Sequence, residues 1–376
     1  MTDASAWARS GAMALTGHLE RRPLAPKRLV EAISIGLTVD ELALVGERAA
    51  FIDGRRQGRT SVGGPCRLLK AEDGWIALNL ARDDDLDLLA AWLDSDRGLD
   101  VIAERAVHEL HERATLLGLP AARLGAVEAP SQPYVATTIG EARLPKDETV
   151  IVDLSSLWAG PLAANLLHAT IPGARVVKVE STRRPDGARQ GPKPFFDLLH
   201  GGHDAVAIDL TTTDGVRALR RLLERADVVV EAARPRVMRN WGIDPADVAR
   251  GRPGLVWLSI TAYGRDGEAA NRVGFGDDAA VAGGLVARDH EGLPVFVADA
   301  VADPLTGIFA AKAVAESRLR GGGELIDVAL AKVAAFVSRR LGDEWEESDE
   351  PPAAPKARVP TRRAPRIGEH NTMWLT

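Results

Sequence analysis

Residues 294–311 read PVFVADAVADPLTGIFAA and hold the carboxylates best placed for chemistry. A strand-like Val-Phe-Val runs into Asp299 and Asp303, and Asp303 is followed by Pro304 and the helical LTGIFAAKAV. Proline at the first helical position predicts Asp303 as the N-cap. Such a placement also suits covalent chemistry. Backbone N–H groups and the helix dipole keep a carboxylate ionised, which is the form a nucleophile needs. Aspartate is equally favoured as a cap for stability alone, and pattern by itself favours the cap.

Other motifs carry less. Gly274–Ala279 (GFGDDA) fits a loose dinucleotide fingerprint, but it lies some dozen residues past the nearest strand pattern, LVWLSIT. A Gly-rich loop before a helix is the simpler reading. His200 and His203 lack ligand-spaced partners apart from Asp204 and read as loop histidines, so no metal site is expected. Asp83, Asp84 and Asp85 cap and charge a helix start. Cys66, the only cysteine, reads as a buried small hydrophobe, and Trp75 and Trp92 read as core.

Several elements must position these residues. Thr149–Leu154, Arg175–Glu180, Ala205–Leu210, Asp227–Glu231 and Leu255–Thr261 are β-branched runs separated by helical patterns such as LAANLLHA and TTTDGVRALRRLLERA. Thr213 is the expected cap of the latter. This alternation predicts a Rossmann-like parallel sheet over 148–345. Residues 1–125 predict a smaller mixed α/β domain. It opens on a helix over LVEAISIGLTVDELALVGERAAF with a cap signal at Thr38. A hairpin at AEDG follows, then helices over DDDLDLLAAWL and LDVIAERAVHELHERATLLG. Residues 126–147, with three prolines, read as a linker, and 346–376 as a Pro-rich C-terminal arm.

Composition narrows the function. At 376 residues two domains are expected, and 45% apolar with 27% charged residues is ordinary for a soluble protein. A net charge of −6 argues against general nucleic-acid binding. No signal-like N-terminus or membrane-length apolar run is present, and one cysteine suits a reducing compartment, so a cytoplasmic protein is expected.

Taken in order, VIVDLSSLWAGPLAANLL, GARVVKVE, ADVVVEAARPRVM, PGLVWLSITAYGRDG and ADPLTG resemble the class III CoA-transferases. That family includes formyl-CoA and carnitine CoA-transferases and α-methylacyl-CoA racemase. The resemblance covers about 148–340 and reverses the balance at Asp303. Ala302–Gly307 matches the family pattern A-D-x-x-x-G, which makes Asp303 the nucleophile of a covalent CoA transfer. It implies Gly283 and Gly284 as oxyanion donors, and Arg183, Arg184, Arg234, Trp158 and Ala159 as CoA contacts. Coenzyme A would be a co-substrate with no cofactor held permanently. The partners implied are an acyl-CoA donor and a small carboxylic acid acceptor, in an interlocked homodimer or a heteromer with a related subunit.

The chain also departs from the family. Phe275 stands where the racemase branch has its histidine base, so racemisation by that route is not expected. Ser181 replaces a common arginine, Gly202-His203-Asp204 replaces N-K-R, and Ala232-Ala233 replaces Asn-Phe. TSVGGPCRLLKAEDGWIALN resembles the family's small-domain segment but precedes the Rossmann half, as if the order of parts were rearranged. The alternatives to transfer are a non-catalytic partner subunit and an acyl-CoA isomerase or lyase.

Overall fold

A computed structural model describes residues 2–29, 37–145 and 148–375. Its contacts divide the chain into two compact units. One comprises Tyr134–Asn271, Thr306–Ala329 and Arg358–Thr376; the other comprises Met1–Pro133, Arg272–Leu305 and Leu330–Ala357.

The first unit is built on a seven-stranded sheet. Its strands, in chain order, are β1 (Val135–Thr138), β2 (Thr149–Asp153), β3 (Ala174–Ser181), β4 (Asp204–Ile208), β5 (Val228–Glu231), β6 (Val256–Thr261) and β7 (Glu324–Ala329). They lie side by side as β1-β7-β6-β5-β2-β3-β4, and all but β1 are parallel. Strands β4-β3-β2-β5-β6-β7 therefore follow the doubly wound Rossmann order, which reverses between β2 and β5. Every residue of β5 and β6 is buried, which explains their unbroken apolar runs. Val152, Val177, Val206, Val229 and Trp257 of the strands pack with Leu219, Leu222 and Leu223 of helix Thr213–Leu223.

Two features depart from expectation here. Thr212, not Thr213, caps that helix, its Oγ1 accepting the Gly215 N–H at 3.0 Å. Strand β1 lies inside the stretch expected to be a linker. All four of its side chains are exposed, so burial imposes no pattern on it.

Residues 358–375 are no free tail. The His370 N–H donates to Ala205 O at 2.9 Å, and the Ala207 N–H donates to Asn371 Oδ1 at 2.8 Å. These bonds cover the outer edge of β4. Trp374 is held between the guanidinium groups of Arg175 and Arg225, 4.8 and 4.3 Å from its ring centre.

The second unit holds a three-stranded antiparallel sheet of Cys66–Lys70, Trp75–Asn79 and Ala121–Arg123. On one face Ile76 and Leu78 pack with Trp92, Leu110 and Ala114. On the other, Cys66, Leu68 and Ala77 pack with Val281, Val286 and Phe296. The expected hairpin is present, with Lys70 opposite Trp75. The first expected helix is in pieces. Residues 30–36 of it lie outside the described residues, and Thr38 caps Val39–Leu42 through a reciprocal bond pair with Glu41. Glu47–Phe51 then forms a separate helix. Likewise 99–118 divides into a 3₁₀ segment, Gly98–Glu104, and helix Val107–Leu117.

Candidate active site

Asp303 is not the expected N-cap but the second residue of helix Ala302–Leu319, and is partly exposed. Its carboxylate sits against Gly276, whose N–H it accepts at the start of helix Gly276–Ala282. The approach is close. A Cβ on Gly276 would lie 2.4 Å from both Asp303 Oδ2 and Ala300 O, so only glycine fits. The Gly-rich loop thus opens a helix, as expected, and that helix seats the carboxylate.

Three further carboxylates crowd the same place. Asp299 is fully buried and accepts a bidentate pair from Arg48, with Nε at 2.9 Å from Oδ2. Asp277 Oδ1 accepts the Ala300 N–H at 3.0 Å. Asp278 Oδ1 accepts Asn79 Nδ2 and the Phe275 N–H, both at 2.9 Å. The backbone beside Asp299 is left-handed at two alanines, Ala298 (φ 51°) and Ala300 (φ 42°). Such non-glycine residues store about 1–3 kcal/mol each and persist only where their surroundings over-determine them.

Electrostatics follows from this crowding. Burial pushes Asp303 up to about 7, opposed by Arg48 and reinforced by Asp278. Burial and Asp299 carry Asp277 up to about 7, and burial raises Asp278 to about 6. Burial opposes the charge on Arg48, but Asp299 outweighs it and holds the guanidinium charged. Carboxyls poised near neutrality are a recurring mark of reactive sites.

In the sheet-bearing unit the strand order reverses between β2 and β5, and open α/β sheets bind ligands outside that reversal. Leu157, at φ 69°, turns the chain after β2 so that Trp158 precedes helix Ala159–Thr170. Gly307 of the ADPLTG motif packs on this helix, where a Cβ would lie 2.8 Å from Ala159 O.

The family model described as CoA-transferase family III matches residues 147–371, more than half of the chain. The chain belongs to CoA-transferase family III. It is 30% identical to the probable fatty acyl-CoA transferase Rv3272 of Mycobacterium tuberculosis, over 57% of this chain and 59% of that protein. With the succinate–glutarate CoA-transferase of Agrobacterium fabrum it shares 28% identity, over 54% and 55% of the two chains. With the succinyl-CoA–D-citramalate CoA-transferase of Chloroflexus aurantiacus it shares 26%, over 50% and 49%. The chain spans about half the length of the curated relatives it matches.

Within this family III chain the residues singled out from sequence fall into two sets. Asp303, Gly283 and Gly284 belong to the unit with the small sheet; Trp158, Ala159, Arg183, Arg184 and Arg234 belong to the other. Gly283 and Gly284 are engaged in packing. Their N–H groups donate to Ala279 O and Val281 O, and a Cβ on Gly283 would meet Ala335 N at 2.5 Å. As oxyanion donors they would first have to release those bonds. Trp158 is buried, edge-on to Phe195 at 5.3 Å. Arg183 and Arg184 are exposed, Arg183 reaching Asp209 at 3.3 Å, and Arg234 is half-buried before helix Pro235–Asn240.

His203 lies in the loop before β4, as expected, whereas His200 does not. His200 ends helix Lys193–His200 and both rings are buried, with burial lowering His203 to about 3 and His200 well below its ordinary value. Among the described residues no cluster of His, Cys, Asp or Glu is arranged to hold a metal ion. No described helix is long and apolar enough to cross a membrane. Sequence reasoning missed Arg48, Gly276, Asp277 and Asp278. The glycine in GFGDDA was the one available signal; Arg48, 251 positions before Asp299, had none.

Proposed function

We propose that this chain is an acyl-CoA:carboxylate CoA-transferase with Asp303 as its nucleophile. The observation that carries the reading is the seat of Asp303. A partly exposed carboxylate rests on the Gly276 N–H in a family III chain, beside carboxyls that burial keeps near neutrality.

The ionised Asp303 oxygen attacks the donor thioester carbonyl, the C–S bond breaks, and CoA leaves as thiolate. The product is a mixed aspartyl anhydride. CoA thiolate then attacks the Asp303 carbonyl carbon, giving an aspartyl-CoA thioester and releasing the donor acid. An acceptor carboxylate attacks that thioester, forming a second anhydride and freeing CoA thiolate again. Thiolate attack on the acceptor carbonyl completes the new acyl-CoA and restores Asp303. Splitting the exchange this way replaces one poor reaction by steps with good leaving groups. Helix Gly276–Ala282 supplies the N–H that orients the attacking carboxylate.

Coenzyme A would enter as co-substrate at the β2/β5 reversal, between the turn holding Trp158 and Ala159 and the turn holding Arg234. Arg183 and Arg184 would lie on its phosphates. Alanine at either Arg184 or Arg234 should weaken CoA binding in calorimetry. A dimer, of two copies or with a related subunit, is the proposed assembly, and a monomer in light scattering would rule it out.

The test is incubation with a panel of acyl-CoA donors, followed by mass analysis of the peptide containing Asp303. A CoA or acyl adduct on Asp303, absent from Asp303→Asn, is expected. Turnover of an acyl-CoA without CoA exchange or adduct would replace the transferase by an isomerase or lyase. No turnover and no adduct with any donor would point to the partner-subunit reading.

A further inference from the structure

The segment that presents Asp303 is held at three points by its own unit. Thr16 Oγ1 accepts the Ala298 N–H at 3.2 Å, Asp277 accepts the Ala300 N–H, and Arg48 takes both oxygens of Asp299. The Asp303 N–H then donates to Ala300 O at 2.8 Å, so this short stretch sets where the carboxylate begins. Two left-handed alanines require such restraint, and Arg48 is its charged member.

The charge matters as much as the geometry. Asp303 is faced by Asp277 and Asp278 of helix Gly276–Ala282, by Asp299, and by Arg48 of helix Glu47–Phe51. Around them, Cys66 lies on one strand of the small sheet, Asn79 on another, and Arg272 acts on Asp278. Four carboxylates at close quarters cannot all ionise without a cation. Arg48 acts on three of them, Asp299, Asp277 and Asp303.

We infer that Arg48 is a positioning residue for Asp303: by clamping Asp299 it fixes residues 298–300, and its charge favours the ionised, nucleophilic form of Asp303. The inference rests on Asp303 being the nucleophile, yet it concerns a titration that needs no substrate. Loss of the guanidinium leaves Asp303 protonated, and silent, at neutral pH.

The test is ¹³C NMR of protein labelled at the aspartate carboxyl carbons, with the Asp303 signal identified by its absence in Asp303→Asn. Arg48→Gln retains a donor to Asp299 and removes the charge, so the Asp303 midpoint should rise by about one pH unit or more. Arg48→Lys retains charge without the bidentate grip and should leave the midpoint within about half a unit. Arg48→Gln in an Asp299→Asn background leaves no buried carboxylate stripped of its partner. It should raise the midpoint relative to Asp299→Asn alone, which decides the matter if Arg48→Gln by itself folds poorly. A midpoint unmoved by Arg48→Gln in either background overturns the inference. CoA-transfer rates against pH separate the two claims. Shifted midpoints with no transfer at any pH sink the transferase reading and leave Arg48 in its role, whereas transfer with an unmoved midpoint removes only Arg48.

Discussion

Two buried ionic groups sit in the two units, and they are built oppositely. In the sheet-bearing unit, Lys178 is 1% exposed and lies 2.9 Å from Asp186 and 3.7 Å from Asp153. Nearby, Arg189 grips both oxygens of Glu180, and Arg265 with Ser259 faces Glu231. Burial opposes the charge on Lys178, but its two carboxylates outweigh it and hold its pKa up; Lys178 in turn offsets the burial of Asp186 and holds that carboxyl low. These groups lie near the ends of β2, β3, β5 and β6, where three cations face four carboxylates, and burial still raises Asp153 and Glu231. In the other unit Asp277, Asp278, Asp299 and Asp303 crowd together, and Arg48 forms its ion pair with Asp299. Nearly matched charge builds a scaffold. Surplus charge of one sign leaves a proton to be shared, and with it a carboxyl that can change state near neutral pH.

The contrast breaks first at Asp303. Asp303→Asn cannot form the anhydride, so CoA transfer should fall by several orders of magnitude. Asn can still accept the Gly276 N–H, so stability should move by no more than about 1 kcal/mol in urea unfolding. Parental transfer by this variant would remove the nucleophile assignment.

The scaffold cluster should answer in the other currency, stability. Lys178→Met leaves Asp153 and Asp186 buried without their cation, at a cost of about 3–5 kcal/mol. Transfer by the fraction that still folds should be near parental. A variant as stable as the parent would show that matched charge is not what holds these strand ends.

Gly276→Ala probes the seat of Asp303. The added methyl must displace Ala300 O or the Asp303 carboxylate, both 2.4 Å from its position. Transfer should drop about 10²-fold, as a misplacement near 1 Å does, with a stability loss of about 1–3 kcal/mol. Unchanged kinetics would place Asp303 elsewhere during turnover.

Asp277→Asn gives the smallest and most diagnostic effect. The fold raises Asp277 from an ordinary 3.8 to about 7, through burial first and Asp299 next. The fold thus prefers the protonated acid, so the stability tied to it is full below about 4 and is lost as pH rises through 7. Asn removes that loss. The variant should match the parent at pH 4.5 and exceed its unfolding free energy by roughly 1–3 kcal/mol at pH 8. Equal stability at both pH values would mean Asp277 carries no shared proton.

Much of the sheet was legible because burial on both faces writes itself into composition. β2, β3, β5 and β6 are runs of Val, Ile and Leu, and the helix Thr213–Leu223 shows its buried leucines at helical spacing. Strand β1 was hidden because its side chains are exposed, and β7 because its charged and apolar residues share one short run, ELIDVA. At the site, Asp303 and Gly307 were legible through the ADPLTG pattern and the family it resembles. Gly276 was visible only as a glycine, since nothing local says that a carboxylate 27 positions later rests on it.

By itself the sequence determined the doubly wound half, the hairpin of the small sheet, and the helix start that carries Asp303. These depend on short-range causes: alternation and burial of apolar residues, turn chemistry, and proline at a helix entry. Only the tertiary structure decided that 1–133, 272–305 and 330–357 share one compact unit, and that 358–375 seal the edge of β4. It alone brought Arg48 onto Asp299 and set four carboxylates around one clamp. The physical reason is range. A strand or a cap is written in neighbours a few residues apart, whereas the charge state of a buried acid depends on every group that shares its low-dielectric surroundings, wherever the chain supplies it.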